Sequence, residues 1–394
     1  MPDKKPADFI PFFRPSFDAR EEEAVVRVLR SGWITTGSEA LAFEREFAGF
    51  TSSPHALAVN SASSGLLLAM QAFGVGPGTR ILTSPYTFVS TATSAIHLGA
   101  EVTYADVSAD DYGLDPDKVD EALSRDASIR AVVPVHIAGN PCDMRSIMEI
   151  ARGRGVAVIE DAAHSFPSRT PLGFAGTVGD AGVFSFYATK TITTGEGGMI
   201  TVRDDEAAAR IRTLRSHGID RTVWDRYTAR DASWKYDVTT EGWKCNLPDI
   251  LAALGRVQLE KADEFFVRRS GIAASFNEAF AGLDWLVTPP DSPGNAWHLY
   301  MIRVVPELLD CDRDDFAREL QDGGLGISMH FIPHYEMTWC KKRYNLDGRS
   351  FPETARKAAS SITLPLWPDM SDAQVARVID VVKRTGERHY RKAR

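Results

Sequence analysis

Between residues 56 and 202, short apolar runs alternate with amphipathic stretches. "ALAVN", "RILTSP", "EVTYADV" and "RAVVPVHI" are nearly continuous apolar runs. Each is followed by a segment with apolar residues at helical spacing: Ser64 to Phe73, "FVSTATSAIHLG", "DPDKVDEALS" and "CDMRSIMEIARGRG". "VAVIED", "AGVFSF" and "GMITV" add three more strands. Strands that are apolar on both faces belong to a mostly parallel sheet covered by helices on both sides, which is an α/β architecture. Ahead of this region, Asp18 precedes a helical pattern carrying Val25, Val26 and Leu29, and Gly32 stops it. "GWITTG" reads as a loop and "EALAFEREFAGF" as a second helix.

From Leu247 to Phe280 the pattern is one long helical run. Beyond it the chain reads as α+β, with strands at "HLYMIRVV" and "GISMHFI" and helices at "RDDFARELQD" and "DAQVARVIDVVKR". "RYNLDGRSFPE" is a polar, turn-rich connection. The expected division is a large α/β domain over residues 1–250 and a small C-terminal α+β domain over 251–394.

Composition narrows the function. The 394 residues are 44% hydrophobic and 25% charged, as in an ordinary globular protein. A net charge of -8 argues against a general nucleic-acid binder, which needs a basic face, and leaves room for a local basic pocket for an anionic small molecule. No stretch approaches the ~20 apolar residues of a membrane span, and "MPDKKPADFIPFFRPSF" has no apolar leader. A cytoplasmic protein is expected, with neither nucleic acid nor membrane as partner. Cys142, Cys245, Cys311 and Cys340 are scattered without CxxC spacing, so free thiols and no metal site are expected.

Open α/β sheets bind ligands at the carboxyl ends of their strands, so reactive residues there carry weight. Four groups qualify. Asp161 closes "VAVIED"; it could cap a helix, or face a positive partner at the mouth of the sheet. "NSASSG", residues 60–65, opens a helix with Ser63 and Ser64; it is either a Ser-rich cap or an anion site. Phe88, after "RILT", is either core or a plate for a flat heterocycle. Ser185 and Lys190 lie in "GVFSFYATKTITTGEGGMI", where a long cation stands between an apolar strand and a glycine-rich turn. Such a lysine is either a loop residue or one that is paired, neutral or covalently occupied. A lysine amine, a carboxylate, an anion cradle and an aromatic plate together suit pyridoxal 5'-phosphate. Its aldehyde bonds to an amine, its ring nitrogen needs an acid, and its phosphate needs N–H and hydroxyl donors.

On these segments, and on "VIEDAAHS" and "GWKCNLPDILAALGRVQL", the chain resembles the DegT-type (DegT/DnrJ/StrS) sugar aminotransferases. The similarity runs from "RPSFDAREEEAVVRVLRSGWITTG" to "SITLPLWPDMSDAQVARVIDVV", nearly the whole sequence. The resemblance implies the fold type I architecture of pyridoxal phosphate enzymes, the large domain holding the cofactor. By the same resemblance, Lys190 is the lysine that bonds the cofactor and Asp161 the partner of its ring nitrogen. His164 stands near its phenolic oxygen, Ser185 with Ser63 and Ser64 forms the phosphate cradle, and Phe88 is the stacking ring. Asn246 matches an asparagine reaching the phosphate from a neighbouring subunit, which implies a homodimer with a shared active site. Ala62 and Thr191 depart from the family's frequent Gly and Asn.

The implied reaction moves an amino group from an amino acid, glutamate first, to a keto-sugar nucleotide. The product is an amino-sugar nucleotide for polysaccharide or natural-product biosynthesis. Trp33, Thr35, Tyr187, Arg226 and His330 are candidates for the sugar pocket, although His330 could equally be an ordinary strand residue and the loop holding Arg226 a subunit contact. The alternatives are a sugar dehydratase, which Lys190 disfavours because that branch has histidine there, and a non-catalytic ligand-binding or regulatory member.

Overall fold

The computed structural model describes residues 9–220 and 235–391. The apolar runs form β1 (His55–Val59), β2 (Arg80–Thr83), β3 (Glu101–Tyr104), β4 (Ile129–Val132) and β5 (Ala157–Asp161). A small hairpin, β6 (Arg169–Thr170) and β7 (Gly173–Phe174), precedes β8 (Ala181–Ser185) and β9 (Gly198–Val202). The main sheet has the order β1-β9-β8-β5-β4-β2-β3. Strands β2, β3, β4, β5 and β8 pair in parallel, and β9 runs antiparallel to both β1 and β8.

Helices cover both faces: α1 (Ala19–Ser31), α2 (Ser38–Thr51), α3 (Ala62–Ala72), α4 (Ser90–His97), α5 (Pro116–Arg125), α6 (Met144–Arg152) and α7 (Asp205–Leu214). The strands alternate between two cores, as a pleat requires. Val183 and Ile200 pack with Leu66, Leu68 and Ile211 on one face. Their neighbours Phe184 and Met199 pack with Phe43, Phe47 and Phe186 on the other.

The single helix expected from Leu247 to Phe280 is two: α8 (Asp249–Glu260) and α9 (Ala262–Phe280). The break is tertiary. α8 packs on α1 and α2, whereas α9 packs on a later helix, Asp372–His389. Lys261, at the joint, is tied by its Nζ to Glu21 at 2.6 Å and Asp18 at 2.8 Å. The division drawn at 250 falls inside α8.

The remaining elements are β10 (Leu286–Val287), β11 (Tyr300–Val304), α10 (Arg313–Asp322), α11 (Thr338–Tyr344), α12 (Pro352–Ala358), β12 (Ser361–Leu364) and α13 (Asp372–His389). β10, β11 and β12 form an antiparallel sheet over a separate apolar core. The strand expected at "GISMHFI" does not form. Leu325, just before it, bridges to Ile10, and Ser328 bridges to Thr363. Two successive partners leave no continuous ladder. β12 is the strand that takes its place in the sheet, beside β11. No helix among the described residues is long and apolar enough to cross a membrane.

Candidate functional site

Sheet register assembles the site. Gly198 is opposite Val59 on one side and Ser185 on the other, so the carboxyl ends of β1 and β8 lie one strand apart. A Cβ at Gly198 would stand 2.7 Å from the Phe184 carbonyl oxygen and 2.9 Å from Ala62 N. Glycine there lets β9 close against the first turn of α3. Ser61 caps that helix, its Oγ accepting from Ser64 N at 3.1 Å and lying 3.0 Å from Ser64 Oγ. Ser63 is exposed, and its carbonyl accepts from Ser94 Oγ at 3.2 Å. A helix N-terminus lined with hydroxyls, beside Ser185, offers the donors an anion needs.

Asp161 closes β5, whose register pairs it with Val183, two residues before Ser185. It is 4% exposed. Thr91 Oγ1 donates to its Oδ2 at 2.8 Å, and Ala163 N donates to its Oδ1 at 3.2 Å. Burial pushes its carboxyl above the usual range, while those two hydrogen bonds and the charge of Lys190 pull the other way. Phe88 sits at the entry to α4, one turn before Thr91, and its ring is 57% exposed. Phe88 and Thr91, which holds the Asp161 carboxylate, therefore share one helix entry.

The loop carrying Lys190 is pinned at both ends. Tyr187 bridges to Gly195, Thr194 N donates to the Phe186 carbonyl at 3.0 Å, and Lys190 N donates to the Tyr187 carbonyl at 2.9 Å. Gly195 has φ 79°, a left-handed turn that glycine adopts freely. Thr191 Oγ1 holds the loop from below, donating to the Phe166 carbonyl at 2.7 Å. Burial pushes the Lys190 amine down to about 8, against the opposing pull of Asp161. Tyr187 is half-exposed beside it.

His164 is buried, and its Nδ1 accepts from Ala138 N at 3.3 Å. The remaining proton is therefore on Nε2, which is left as a donor. Burial, then Lys190 and His330, hold this imidazole well below its ordinary pKa. His330 is not in a strand. Its Nδ1 lies 2.9 Å from Thr363 Oγ1, its ring stacks on Phe12, and burial brings it down to about 4.

The structure thus gathers Asp161, Lys190, His164 and His330, with Ser63, Ser64, Ser185 and Phe88 along the same sheet edge. Trp33, Thr35 and Asn246 belong to a neighbouring cluster. Trp33 Nε1 donates to the Thr36 carbonyl at 3.2 Å, and the Thr35 carbonyl accepts from Asp249 N at 3.3 Å. Asn246 Nδ2 donates to Thr36 Oγ1 of the same chain at 2.5 Å, and Asn246 bridges to Val59. Arg226 lies outside the described residues. Sequence reasoning missed Thr91, one helical turn after Phe88, and His298, which touches the His164 ring. The first could have been found by helical spacing. The second is distant in sequence and carries no such signal.

A sheet-edge lysine, a buried carboxylate at the end of the neighbouring parallel strand and a capped helix N-terminus form the site, and the fold is that of the fold type I pyridoxal phosphate enzymes. The DegT/DnrJ/EryC1/StrS aminotransferase family model matches residues 15–383, and the chain belongs to that family. It is 40% identical over 378 residues to the spore coat polysaccharide biosynthesis protein SpsC of Bacillus subtilis (strain 168), covering 95% of this chain and 96% of that one. Among solved structures it is similar to the putative sugar aminotransferase Spr1654 from Streptococcus pneumoniae in its PMP form, with a TM-score of 0.89 and 28% identity over 96% of this chain and 99% of that one. It is also similar to 3-amino-5-hydroxybenzoic acid synthase, with a TM-score of 0.85 and 27% identity over 98% and 100% of the two chains. Spr1654 has also been solved in its PLP form. The cofactor is pyridoxal 5'-phosphate, and the residues present suit it: an amine that burial brings toward neutrality, a buried acid and a hydroxyl-lined helix terminus.

Proposed function

We propose that this aminotransferase moves an amino group from an amino acid, L-glutamate in the first instance, to the ketone of a nucleotide-linked sugar in the cytoplasm. The carrying observation is the Lys190–Asp161 pair: an amine brought down to about 8 beside a carboxylate fixed by Thr91 and Ala163. The sugar class is supported by the likeness to a polysaccharide biosynthesis protein and to a sugar aminotransferase. A second reading, a cyclic ketone free of any nucleotide, is favoured by the likeness to 3-amino-5-hydroxybenzoic acid synthase.

Pyridoxal 5'-phosphate supplies an aldehyde for the incoming amine and a ring that withdraws electrons from the bonds to be broken. In this reading the Lys190 Nζ would be the amine that bonds the cofactor's aldehyde and, when not so bonded, the base that takes the proton from the donor's α-carbon. A neutral amine is required for that step, and burial supplies it. Asp161, fixed by Thr91, would keep the ring nitrogen protonated. His164, with its proton on Nε2, would donate toward the phenolic oxygen. The α3 N-terminus, Ser63, Ser64 and Ser185 would hold the phosphate, and Phe88 would stack on the ring. Asn246 would reach the same phosphate from a second copy of the chain, which would make the active unit a homodimer with a shared site. Trp33, Thr35, Tyr187 and His330 are the candidates for contact with the sugar nucleotide; Arg226, outside the described residues, is a candidate by sequence alone.

The test is a panel of keto-sugar nucleotides and free cyclic ketones offered to the amino form of the loaded enzyme, followed by near-ultraviolet absorbance. Turnover of a sugar nucleotide is expected. Turnover of free cyclic ketones alone would replace this reading with the second one.

A further inference from the structure

His298 lies outside the set of groups that the reaction needs, yet it is held against that set with unusual firmness. It is 4% exposed and lies just before β11. The backbone on both sides is bonded to the turn that carries Ala138. Ala296 N donates to the Gly139 carbonyl at 2.9 Å, and Leu299 N donates to the Ala138 carbonyl at 3.1 Å. The His298 carbonyl itself accepts from Arg269 Nη1 at 3.4 Å. Ala138 is also the residue whose N–H fixes the tautomer of His164. One short turn therefore orients both imidazoles.

The two rings meet at a centroid distance of 4.5 Å, tilted by 60°. The His164 ring also stacks on Phe331 at 5.6 Å and 24° and meets His330 edge-on at 6.3 Å and 81°. His164, three residues past β5, thus faces three rings from the C-terminal part of the chain, and His330, like Lys190, is a titratable group whose charge disfavours a protonated His164. Among the described residues, His298 Nδ1 has no hydrogen-bond partner. Burial keeps it neutral, so it brings no counter-charge to His164. What it does bring is a neutral ring that excludes water from one side of the imidazole. A protonated His164 would have to give up hydration and face Lys190, and both effects favour the neutral form.

We infer that His298 is a positioning residue: its ring, packed on His164 and locked by the Ala138–Gly139 turn, shields one side of the imidazole from water and so keeps His164 neutral, while the Ala138 N–H sets its tautomer. This rests on the reading of His164 as a group that faces the cofactor. Its test does not depend on turnover, so failure of the proposed amino transfer and failure of this inference are distinguishable.

The experiment is a histidine-labelled carbon-13 NMR titration of the full-length protein without cofactor, with the His164 signal identified by its loss in His164→Gln. In the wild type His164 should stay neutral across the mildly acidic range. In His298→Ala its pKa should rise by about one unit or more, toward the ordinary histidine value. His298→Phe preserves the ring and should leave the His164 titration where it was. If the alanine variant does not fold, His298→Leu tests the same point with a smaller rise. An unshifted His164 in every folded variant overturns the inference. So does a phenylalanine variant shifted as far as the alanine one, because the effect would then come from the nitrogen and not from the packed ring.

Discussion

Lys190 and Lys357 are both long cations drawn into the fold, and burial brings each amine down to about 8. Their surroundings are otherwise opposite. Lys190 sits in a pinned loop at the sheet edge, and its side chain makes no hydrogen bond among the described residues. Lys357, on α12, is almost fully buried. Its Nζ donates to the backbone carbonyls of Ser108 and Asp111 and lies 5.5 Å above the Tyr112 ring. The same helix is capped at its other end by Asp106, which accepts from Glu353 N and Thr354 N at 2.9 Å and from Thr354 Oγ1 at 2.7 Å. Segment 106–111 thus grips α12 at both ends. A lowered lysine pKa records desolvation; whether the amine can react depends on whether its donors are already spent.

Replacing each lysine should separate the two cases. Lys190→Ala should lose turnover by about a thousandfold or more, because both the covalent attachment and the proton carrier go. Borohydride reduction and peptide mapping of the wild type should find the cofactor on residue 190. A tag on Lys357 would reverse the contrast.

Asp161→Asn comes next. It removes the charge that keeps the ring nitrogen protonated, and turnover should fall about a hundredfold or more while the fold is kept. Near-normal turnover in that variant would mean that the carboxylate only caps backbone.

Lys357→Met should act on stability and not on chemistry. Leaving two buried carbonyls without donors costs about 1–3 kcal/mol, read as a lower Tm, and the folded enzyme should turn over normally. Lys357 also gives a signed pH effect. Its folded pKa of about 8 lies below the ordinary 10.5, so the unfolded chain binds the proton more tightly. Stability from this group is fully present above 10.5 and is lost as pH falls through 8. The methionine variant should show a flatter stability profile across that window.

The smallest effect is kinetic. Capture of pyridoxal 5'-phosphate by the cofactor-free protein needs the neutral Lys190 amine, so its rate should rise with pH and level off above about 8. A rate still climbing toward 10.5 would describe an ordinary exposed lysine.

Much of the site was legible because a strand's end is a chemical address. Asp161, Ser185, Lys190 and the serine turn each follow an apolar run, and the rule that ligands sit at carboxyl ends selects them from the sequence alone. The small sheet was less legible. "SITL" is four residues long and half hydroxyl, so nothing marks it as the buried strand β12. "GISMHFI" has the composition of a strand and yet spends its backbone on isolated partners. The cap of α2 was equally hidden. Gly37 offers no side chain, and Asp249, 212 residues away, accepts from its N–H at 2.7 Å.

The sequence by itself determined the alternation of strands and helices, the two-faced burial of the large sheet and the candidates for the reacting groups. Those depend on local periodicity and on residue chemistry, which are written along the chain. Only the tertiary structure decided that helix 247–280 breaks at Lys261, that His298 packs on His164, and that Lys357 is clamped while the Lys190 side chain makes no hydrogen bond among the described residues. Each of these depends on which distant carbonyl, carboxylate or ring comes within reach, and contacts between segments hundreds of residues apart leave no period in the sequence to read.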